Sequence, residues 1–269
     1  MEGVDQIING EAQDILRQLP SGLVQAVIAD PPYFRVLKSK WDRQWKTPAD
    51  YVRWYSTWVP ECMRVLKDDG LCFVFGQLGK REHVFLHVMS ALAQQWAFHD
   101  LIIWDRVVGY NERRDSFTPS YEFVLVLRKS DVVKFRKGSV RSPYSPEKIR
   151  QYLQDGRYKD KAARRRHLLA GKYARNILAV PSLRGSSNEK VGHPSQKPVE
   201  LIKKLVLVST DPGDVVLDPF LGSGSTAAAA TMLGRHFVGI ERSKRYCKMA
   251  QKRLSAISGP NTSLQLEAA

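Results

Sequence analysis

Cysteine is scarce in this sequence, and the paired-cysteine spacing of a metal site is missing. The 269 residues include three cysteines (Cys62, Cys72 and Cys247) and six histidines, and the cysteines form no CxxC pattern. We interpret the cysteines as small buried residues of a protein from a reducing compartment. The sequence therefore predicts a cytoplasmic protein without a metal site.

Long apolar runs and a secretory leader are also missing. No apolar stretch approaches the roughly 20 residues that a transmembrane helix needs. The opening residues, MEGVDQIING, lack the basic and then apolar pattern of a signal peptide. No segment is clearly a basic amphipathic helix of the kind that binds membrane surfaces. We therefore expect no association with a membrane.

Negative charge is scarce relative to positive charge. The chain carries 42 Lys and Arg against 27 Asp and Glu, a formal net charge of +15. Such an excess favours a polyanionic partner, and nucleic acid is the leading candidate. The 43% of hydrophobic residues is nevertheless typical of a globular protein. The length fits one large domain, or one domain with an insertion.

Strand-like apolar runs alternate with helical periodicity along most of the chain. We predict strands at 7–8, 23–29, 71–75, 98–104, 121–127, 215–217 and 236–240. We predict helices at 10–19, 48–66, 82–96, 198–209, 225–233 and 243–257, with Asp68-Asp69-Gly70 as a stop signal. This alternation indicates an α/β fold with a mostly parallel sheet and helices on both faces.

A basic segment interrupts this pattern. Lysines and arginines crowd between residues 134 and 175, with four tyrosines interleaved. We interpret 134–191 as an insertion into one domain formed by 1–133 and 192–257, and 258–269 as a flexible tail. The candidate contacts to nucleic acid phosphates are Lys137, Arg141, Arg164, Arg165 and Arg166. A solvated helix face is the alternative interpretation of the arginine cluster.

A glycine turn follows the predicted strand at 215–217. The run Asp218-Pro219-Phe220-Leu221-Gly222-Ser223-Gly224-Ser225-Thr226 leads from that strand into a helix, as ligand-binding loops of open α/β sheets do. Ala227 stands where a dinucleotide fingerprint would need a third glycine, and no GK[ST] of a P-loop is present. The pattern favours a nucleoside without a pyrophosphate, whose ribose Glu241 would bind. A turn without a ligand is the alternative.

The sharpest motif is Asp30-Pro31-Pro32-Tyr33 at the end of a buried strand. The lone pair of an exocyclic amino nitrogen is delocalised into its base. A carboxylate and a backbone carbonyl that accept its two N–H groups make that lone pair more available, and the carboxylate stabilises the developing positive charge. Tyr33 would offer a face for an extruded base. A plain strand-terminating turn is the alternative.

These motifs together resemble those of the DNA amino-methyltransferases, which act on adenine N6 or cytosine N4. Three segments carry the resemblance, namely DPPY at 30–33, DPFLGSGST at 218–226 and GHPSQKP at 192–198. Their order is similar to the β arrangement of that family. Weaker matches are Gly10-Glu11, Trp104-Asp105-Arg106, Phe117 and Tyr121-Glu122. The resemblance covers nearly all of the chain except the basic segment.

The resemblance implies a class I S-adenosylmethionine-dependent methyltransferase (Rossmann-like) fold with a basic inserted target-recognition segment. It implies that Asp30, Pro31, Pro32 and Tyr33 form the base pocket. It also implies a set of cofactor contacts, which are Gly10, Glu11, Ser195, Gln196, Lys197, Asp218, Phe220, Gly222, Ser223, Gly224, Ser225, Thr226 and Glu241. The expected partners are S-adenosylmethionine, double-stranded DNA with a flipped base, and a second copy of the chain in a homodimer.

Adenine N6 is the target that DPPY favours within the family, and cytosine N4 is the nearest alternative. Methylation of RNA or of a protein amide is a second alternative, although NPPY variants are more usual there. The third alternative is a nucleic-acid-binding protein that has lost catalysis. The intact Asp30 and the intact glycine loop argue against this last reading.

Overall fold

The computed structural model describes residues 4–36, 39–79, 82–109, 112 and 114–257. Its strands are β1 (Gln6–Asn9), β2 (Val24–Ala29), β3 (Leu66–Gly76), β4 (Ala97–Asp105), β5 (Tyr121–Arg128), β6 (Arg141–Ser142), β7 (Lys172–Tyr173), β8 (Ile177–Ala179), β9 (Val215–Asp218) and β10 (His236–Glu241). Its helices are α1 (Ala12–Leu16), α2 (Pro48–Val65), α3 (Val84–Gln95), α4 (Pro146–Gln154), α5 (Lys161–Ala170), α6 (Val199–Ser209), α7 (Ser225–Met232) and α8 (Lys244–Ile257).

The predicted strands and helices are all present, most of them within two residues of the predicted ends. Helix α2 begins where its sequence dictates, because Thr47 and Asp50 form a reciprocal capping box and Pro48 occupies the first turn. Helix α1 is shorter than the predicted 10–19 and spans only Ala12–Leu16.

Strand β3 differs most from its prediction, since it begins at Leu66 and contains the supposed stop signal. Its pairing with β2 shifts register between Val24 and Ala26, which accommodates the polar residues as an irregularity. Gln25 Nε2 donates to Asp69 Oδ1 at 2.9 Å. A Cβ atom on Gly70 would lie 2.7 Å from the Gln25 carbonyl oxygen, so the close approach of the two strands requires glycine.

Within the described residues, one sheet has the order β1-β10-β9-β2-β3-β5-β4-β8. All its neighbouring pairs are parallel except β3·β5 and β5·β4, which confirms a mostly parallel sheet. Helices α1, α2 and α3 pack on one face, and helices α6, α7 and α8 pack on the other. The predicted class I methyltransferase architecture is thus confirmed.

The topology places the ends of β2, β9 and β10 side by side. Strand β9 pairs with β2 through Ala26–Val216 and Val27–Leu217, and with β10 through Gly239–Asp218. Because the three strands are parallel, the residues after them lie at one edge of the sheet. Ligands of open α/β sheets bind at this carboxyl edge.

The basic segment returns to the same edge. Strands β6 and β7 form a small antiparallel pair, and β8 extends the main sheet by pairing with β4 through Asp105–Ala179. The Trp104 indole N–H donates to the Val180 carbonyl oxygen at 2.8 Å, which fixes the end of β8. The division of the chain into a catalytic domain and an inserted recognition segment at 134–191 stays a prediction.

The tail predicted at 258–269 lies outside the described residues. Among the residues that are described, no helix is long and apolar enough to cross a membrane. The same residues contain no group of three or more His, Cys, Asp or Glu arranged to hold a metal ion.

Candidate active site

A cleft of about 690 Å³ opens at the carboxyl edge of the sheet. Its lining includes residues of the DPPY motif, of the glycine loop and of the segment before α6. The predicted residues in its wall are Gly10, Glu11, Asp30, Pro31, Pro32, Ser195, Gln196, Lys197, Asp218, Phe220, Gly222, Ser223, Ser225, Thr226 and Glu241. The fold therefore brings both sets of predicted residues, except Tyr33 and Gly224, to the lining of one cavity. Its volume is typical of ligand pockets (about 300–1,000 Å³).

The glycine loop has a backbone that other residues rarely adopt. Gly222 and Gly224 have φ values of 51° and 78°. A Cβ atom on Gly224 would lie 2.9 Å from the Ala250 Cβ atom, so helix α8 also requires a glycine at this position. The Leu221 N–H donates to the Ile240 carbonyl oxygen at 2.8 Å and ties the loop to β10. These constraints hold a tight turn at the floor of the cleft.

Glu241 organises the same turn through both of its carboxylate oxygens. Oε2 accepts from the Gly222 N–H at 2.9 Å, and Oε1 accepts from the Ser243 N–H at 2.7 Å. Burial raises the pKa of Glu241, and these backbone donors oppose the increase. The Gly10 N–H donates to the Glu241 carbonyl oxygen at 3.2 Å, and Arg242 lies 3.8 Å from the Glu11 carboxylate. Each carboxylate oxygen keeps a second acceptor site for a ligand hydroxyl.

Asp218 is a buried carboxylate at the opposite end of this turn. Its Oδ1 atom accepts from the Phe220 N–H at 2.9 Å. Burial raises the pKa of Asp218 to about 7, while hydrogen bonds from the Thr226 side chain and the Phe220 N–H oppose the increase. A group with such a pKa gains its charge near neutral pH, and a cation in the cleft would favour the charged form.

The segment that precedes α6 supplies one wall of the cleft. The Gln196 side chain binds neighbouring backbone, since it accepts from the Val191 N–H at 2.9 Å and donates to the Glu189 carbonyl oxygen at 2.8 Å. Ser225 Oγ donates to the Lys197 carbonyl oxygen at 2.7 Å, which joins this segment to the glycine loop. Gln196 thus shapes the wall with both ends of its amide already bound.

Aromatic rings form another wall. The Trp54 and Phe220 ring centroids lie 5.5 Å apart, and Trp58 supports Phe220 at 4.9 Å. Next to them the Tyr51 hydroxyl donates to the Pro32 carbonyl oxygen at 2.9 Å. Helix α2 therefore fixes the DPPY loop and supplies an apolar surface to the cleft.

A buried cluster of charged groups surrounds Asp30. The Lys197 ammonium lies 2.8 Å from Asp30 Oδ2 and 3.3 Å from Glu122 Oε2. The Tyr33 hydroxyl lies 2.8 Å from Asp30 Oδ1 and 2.9 Å from Glu122 Oε2, so its single proton is donated to either carboxylate. Lys197 Nζ also donates to the Tyr33 hydroxyl oxygen at 3.2 Å. We call these four residues the acid cluster.

Burial and the neighbouring charges both shift the pKa values of the acid cluster, and for Asp30 and Lys197 they act partly in opposite directions. Burial raises the pKa of Asp30, with Lys197 opposing the increase and Glu122 adding to it. Burial also works against the charge of Lys197, but the two carboxylates raise the Lys197 pKa above its usual value. Burial and both carboxylates hold the pKa of Tyr33 well above its usual value, so Tyr33 keeps its proton.

Two of the predicted residues take positions different from those expected. Tyr33 is 9% exposed and its hydroxyl points to the two carboxylates, so it does not present the open face predicted for base stacking. Lys197 was expected at the cofactor carboxylate, yet its ammonium is bound by the acid cluster and lies 5.1–5.8 Å from three aromatic ring centroids. Burial among acids and rings accounts for both placements.

Glu122 is the residue of this site whose part the sequence did not reveal. It is 5% exposed and also binds Arg106, whose Nη1 atom lies 3.3 Å away. Its signals in the sequence are the weak family match at Tyr121-Glu122 and a charged residue within the strand YEFVLVL, and neither indicated a contact with Asp30. Charged residues are rarely buried without a partner, so such a position marks a buried polar site.

The predicted nucleic-acid contacts divide into two groups. The Arg164 guanidinium stacks 3.9 Å from the Tyr158 ring centroid, and Arg141 stacks 4.0 Å from Tyr173 and donates to the Gly171 carbonyl oxygen. These two arginines hold the basic segment together. Arg165 and Arg166 are exposed on α5, and Lys137 is exposed with its ammonium 4.9 Å from the Tyr173 ring centroid.

The cleft fits S-adenosylmethionine. The positive-φ glycines open space that a Cβ atom at Gly222 would restrict, since that atom would lie 3.3 Å from the His193 ring. Two buried carboxylates, Asp218 and Glu241, provide acceptors for an ammonium group and for ribose hydroxyls. The aromatic wall suits a purine ring.

Comparison with known proteins agrees with the DNA methyltransferase family that the motifs resemble. The family model described as DNA methylase matches residues 24–252. The chain is 30% identical to the type II methyltransferase M.BglII of Bacillus subtilis, over 94% of this chain and 69% of that protein. It is 29% identical to the DNA adenine methyltransferase YhdJ of Escherichia coli K12, over 94% of this chain and 83% of that protein.

Solved structures share the fold. The cytosine-N4-specific PvuII DNA methyltransferase superposes with a TM-score of 0.69 at 17% identity, covering 92% of this chain and 85% of that one. The M1.HpyAVI–SAM complex superposes with a TM-score of 0.59 at 25% identity, covering 93% and 98%. The chain therefore belongs to the family of DNA methylases that transfer a methyl group from S-adenosylmethionine to adenine N6 or cytosine N4.

Proposed function

We propose that this protein methylates adenine N6 at a specific sequence in double-stranded DNA, with the target base flipped out of the duplex. The observation that carries the proposal is the Asp30 carboxylate, which lines the cleft at the same sheet edge as the glycine loop. An exocyclic amino group within a duplex cannot reach such a cleft, so the base has to leave the stack. The DPPY motif and the likeness to YhdJ support adenine as the target.

The DPPY loop binds and activates the amino group. The Asp30 carboxylate accepts one N–H of the base and the Pro31 carbonyl accepts the other, which increases the availability of the nitrogen lone pair. The Asp30 carboxylate then stabilises the positive charge that develops on nitrogen. Because Pro32 is tied to α2 by Tyr51, these acceptors are held in place before the base arrives.

S-adenosylmethionine supplies the reactive methyl group when it is bound. In our proposal Asp218 holds its ammonium group, Glu241 its ribose, and the turn at Gly222 and Gly224 its methionine portion. Trp54 and Phe220 exclude water from this part of the cleft. The cofactor is thus bound at the glycine-loop side of the cleft, and the base is bound next to the acid cluster.

The affinity for S-adenosylmethionine is expected to fall as the pH is lowered from 7 to 5. Burial raises the pKa of Asp218 to about 7, so the free protein is protonated there below that pH. Binding of a cation must then release the proton, which costs up to about tenfold in affinity per pH unit. The α-ammonium stays charged in this range, since such groups titrate near 7.7. Titration calorimetry from pH 5 to 7.5 measures the effect.

The matched variant for this test is Asp218→Asn, which is isosteric and does not titrate. It should bind the cofactor more weakly at pH 7.5 and lose most of the pH dependence. An equally steep dependence in the variant would assign the titration to another group and contradict this role of Asp218.

The basic segment is proposed to contact DNA phosphates through Arg165 and Arg166. Replacing both by Ala should weaken DNA binding and reduce the slope of log affinity against log salt by about 2. Arg164→Ala should instead lower the stability of the segment, because its guanidinium packs on Tyr158. Fluorescence anisotropy across a salt series measures the slope.

The charge-matched control replaces Lys248 and Lys252, two exposed lysines of α8, by Ala. It removes the same charge from a different part of the surface and should leave the slope nearly unchanged. Equal slopes for the two double variants would mean that only net charge matters, and would remove α5 from the interface.

The target base is tested by incubating the protein with S-adenosylmethionine and unmethylated genomic DNA, and then analysing nucleosides by mass spectrometry. N6-methyladenine is the expected product, and sequencing of the same DNA gives the recognition site. The PvuII enzyme has the same fold, so the fold alone does not select the base. N4-methylcytosine would correct the target while keeping the site chemistry. The absence of both products would overturn the proposal.

A further inference from the structure

We propose that Glu122 is a positioning residue that takes the Tyr33 hydroxyl and the Lys197 ammonium from Asp30 when the target base enters. This inference rests on the proposed function and adds a second carboxylate to its mechanism. It follows from the geometry of the acid cluster, in which the same two donors already lie between two acceptors.

The distances show how evenly the donors are shared. The Tyr33 hydroxyl lies 2.8 Å from Asp30 and 2.9 Å from Glu122, and Lys197 Nζ lies 2.8 Å and 3.3 Å from the same two carboxylates. Both contacts on the Glu122 side are made to one atom, Oε2. Small shifts of two donors are therefore enough to move them from one carboxylate to the other.

Asp30 needs this release in order to act on a base. While the ammonium and the hydroxyl bind Asp30, the ammonium offsets the charge that should stabilise the reacting amino nitrogen, and the hydroxyl occupies one of the carboxylate's acceptor sites. Each interaction is strong because the surroundings are buried and have a low dielectric constant. If the donors move to Glu122, the Asp30 carboxylate faces the base with its charge restored, and no buried donor loses its partner.

Glu122 is well suited to remain in place during this exchange. It lies in β5, which is paired on both sides, by β3 and by β4. Its Oε1 atom lies 3.3 Å from Arg106 Nη1, so the second oxygen is anchored while Oε2 receives the donors. Asp30 instead has 21% of its side chain exposed and lines the cleft. One carboxylate is thus fixed in the sheet, and the other faces the substrate.

The charged and titratable groups around the two carboxylates determine in which direction each variant shifts the pH profile. Those facing Asp30 are Lys197, Glu122 and Tyr33, with Asp218, Tyr51 and Tyr55 farther away. Those facing Glu122 are Lys197, Tyr33, Arg106 and Asp30. Glu122 raises the pKa of Asp30, whereas the hydrogen bond from Tyr33 lowers it.

The experiment compares Glu122→Gln and Tyr33→Phe with the unchanged protein in single-turnover methyl transfer over a pH series. Glu122→Gln should lower the rate constant about 100-fold, as expected when a catalytic group is held wrongly. It should also move the acid limb of the pH profile down by about one unit, because Lys197 is left to Asp30. Tyr33→Phe should move that limb upwards. Neither variant should change cofactor affinity more than twofold.

The control is Glu61→Gln, which removes a carboxylate that pairs with Arg64 on α2, away from the cleft. It should leave both the rate constant and the pH profile unchanged. Opposite pH shifts in the two test variants, with cofactor affinity preserved, support the exchange. Unmoved profiles, or parallel losses of rate, cofactor affinity and melting temperature, would show a merely structural cluster. A complete lack of methyl transfer by the unchanged protein would refute the proposed function instead.

Discussion

Asp30→Asn is expected to lower the rate constant of methyl transfer about 1,000-fold and to leave binding of S-adenosylmethionine nearly intact. The amide keeps the size and one acceptor of the side chain but cannot stabilise a positive charge on the amino nitrogen. Removal of one preorganised electrostatic group commonly costs about a hundredfold to a thousandfold. The fold should persist, because Lys197 keeps its contact with Glu122 at 3.3 Å.

Single-turnover transfer to duplex DNA measures the rate, and calorimetry measures cofactor affinity. Asp14→Asn is the control, since it makes the same change on the exposed surface of α1, where Asp14 lies 3.9 Å from Arg17. The rate of the unchanged protein should also fall as acid protonates Asp30, whose pKa burial raises. A tenfold or smaller loss in the Asn variant would contradict the assignment of Asp30 as the group that binds the amino nitrogen.

Gly224→Ala is expected to abolish cofactor binding and to lower the free energy of unfolding by about 2–4 kcal/mol. Two costs add at this position. The φ value of 78° costs roughly 1–2 kcal/mol for a residue with a Cβ atom. That atom would also lie 2.9 Å from the Ala250 Cβ atom and 3.3 Å from its Cα atom, so helix α8 or the glycine loop has to move.

Gly234→Ala separates the two costs. Gly234 has a similar φ of 69°, but a Cβ atom there would have no neighbour within 4 Å. Its loss of stability should match the backbone cost alone, roughly 1–2 kcal/mol, and cofactor binding should persist. Urea unfolding of both variants and calorimetry with S-adenosylmethionine make the comparison. If Gly224→Ala binds as well as Gly234→Ala, the close contact with α8 does not shape the cofactor site.

Local rules predicted much of the fold. The capping residues before α2, and the two prolines after β2, mark their boundaries through backbone geometry that depends on a few neighbouring residues. The start of β3 did not follow local rules. Asp68, Asp69 and Gly70 normally indicate a turn, but the pairing of Leu66 and Leu71 with β2 on either side of them, and the hydrogen bond from Gln25 to Asp69, keep them in the strand. Long-range pairing outweighed turn propensity there.

The same distinction applies to the site. The sequence identified DPPY and the glycine loop as motifs that follow buried strands, and the structure brings both to one cleft because parallel strands end at one edge. It did not predict that Lys197 binds Asp30 and Tyr33. Lys197 and Tyr33 are 164 residues apart in the sequence. Side-chain direction within a buried cluster depends on all of its charges together, and a motif read along the chain contains no such information.

The three adjacent arginines show a further limit of composition. In sequence Arg164, Arg165 and Arg166 are equivalent positive charges. In the helix they point in different directions, so Arg164 stacks on Tyr158 while its two neighbours are exposed. Charge counts therefore identified the arginine cluster but did not tell packing residues from those left free for a ligand.

The neighbouring positions of β2 and β9 also bear on how the protein acquires its structure during synthesis. All six residues of β2 are buried, and one edge of that strand is completed only by β9, from the last third of the chain. Until the ribosome has delivered β9, an apolar strand with unpaired backbone groups is exposed to other nascent chains. Pairing across such a sequence separation is slow. Productive folding therefore requires that the chain be completed before it aggregates. A lower growth temperature, or chaperones that shield exposed strands, would favour productive folding.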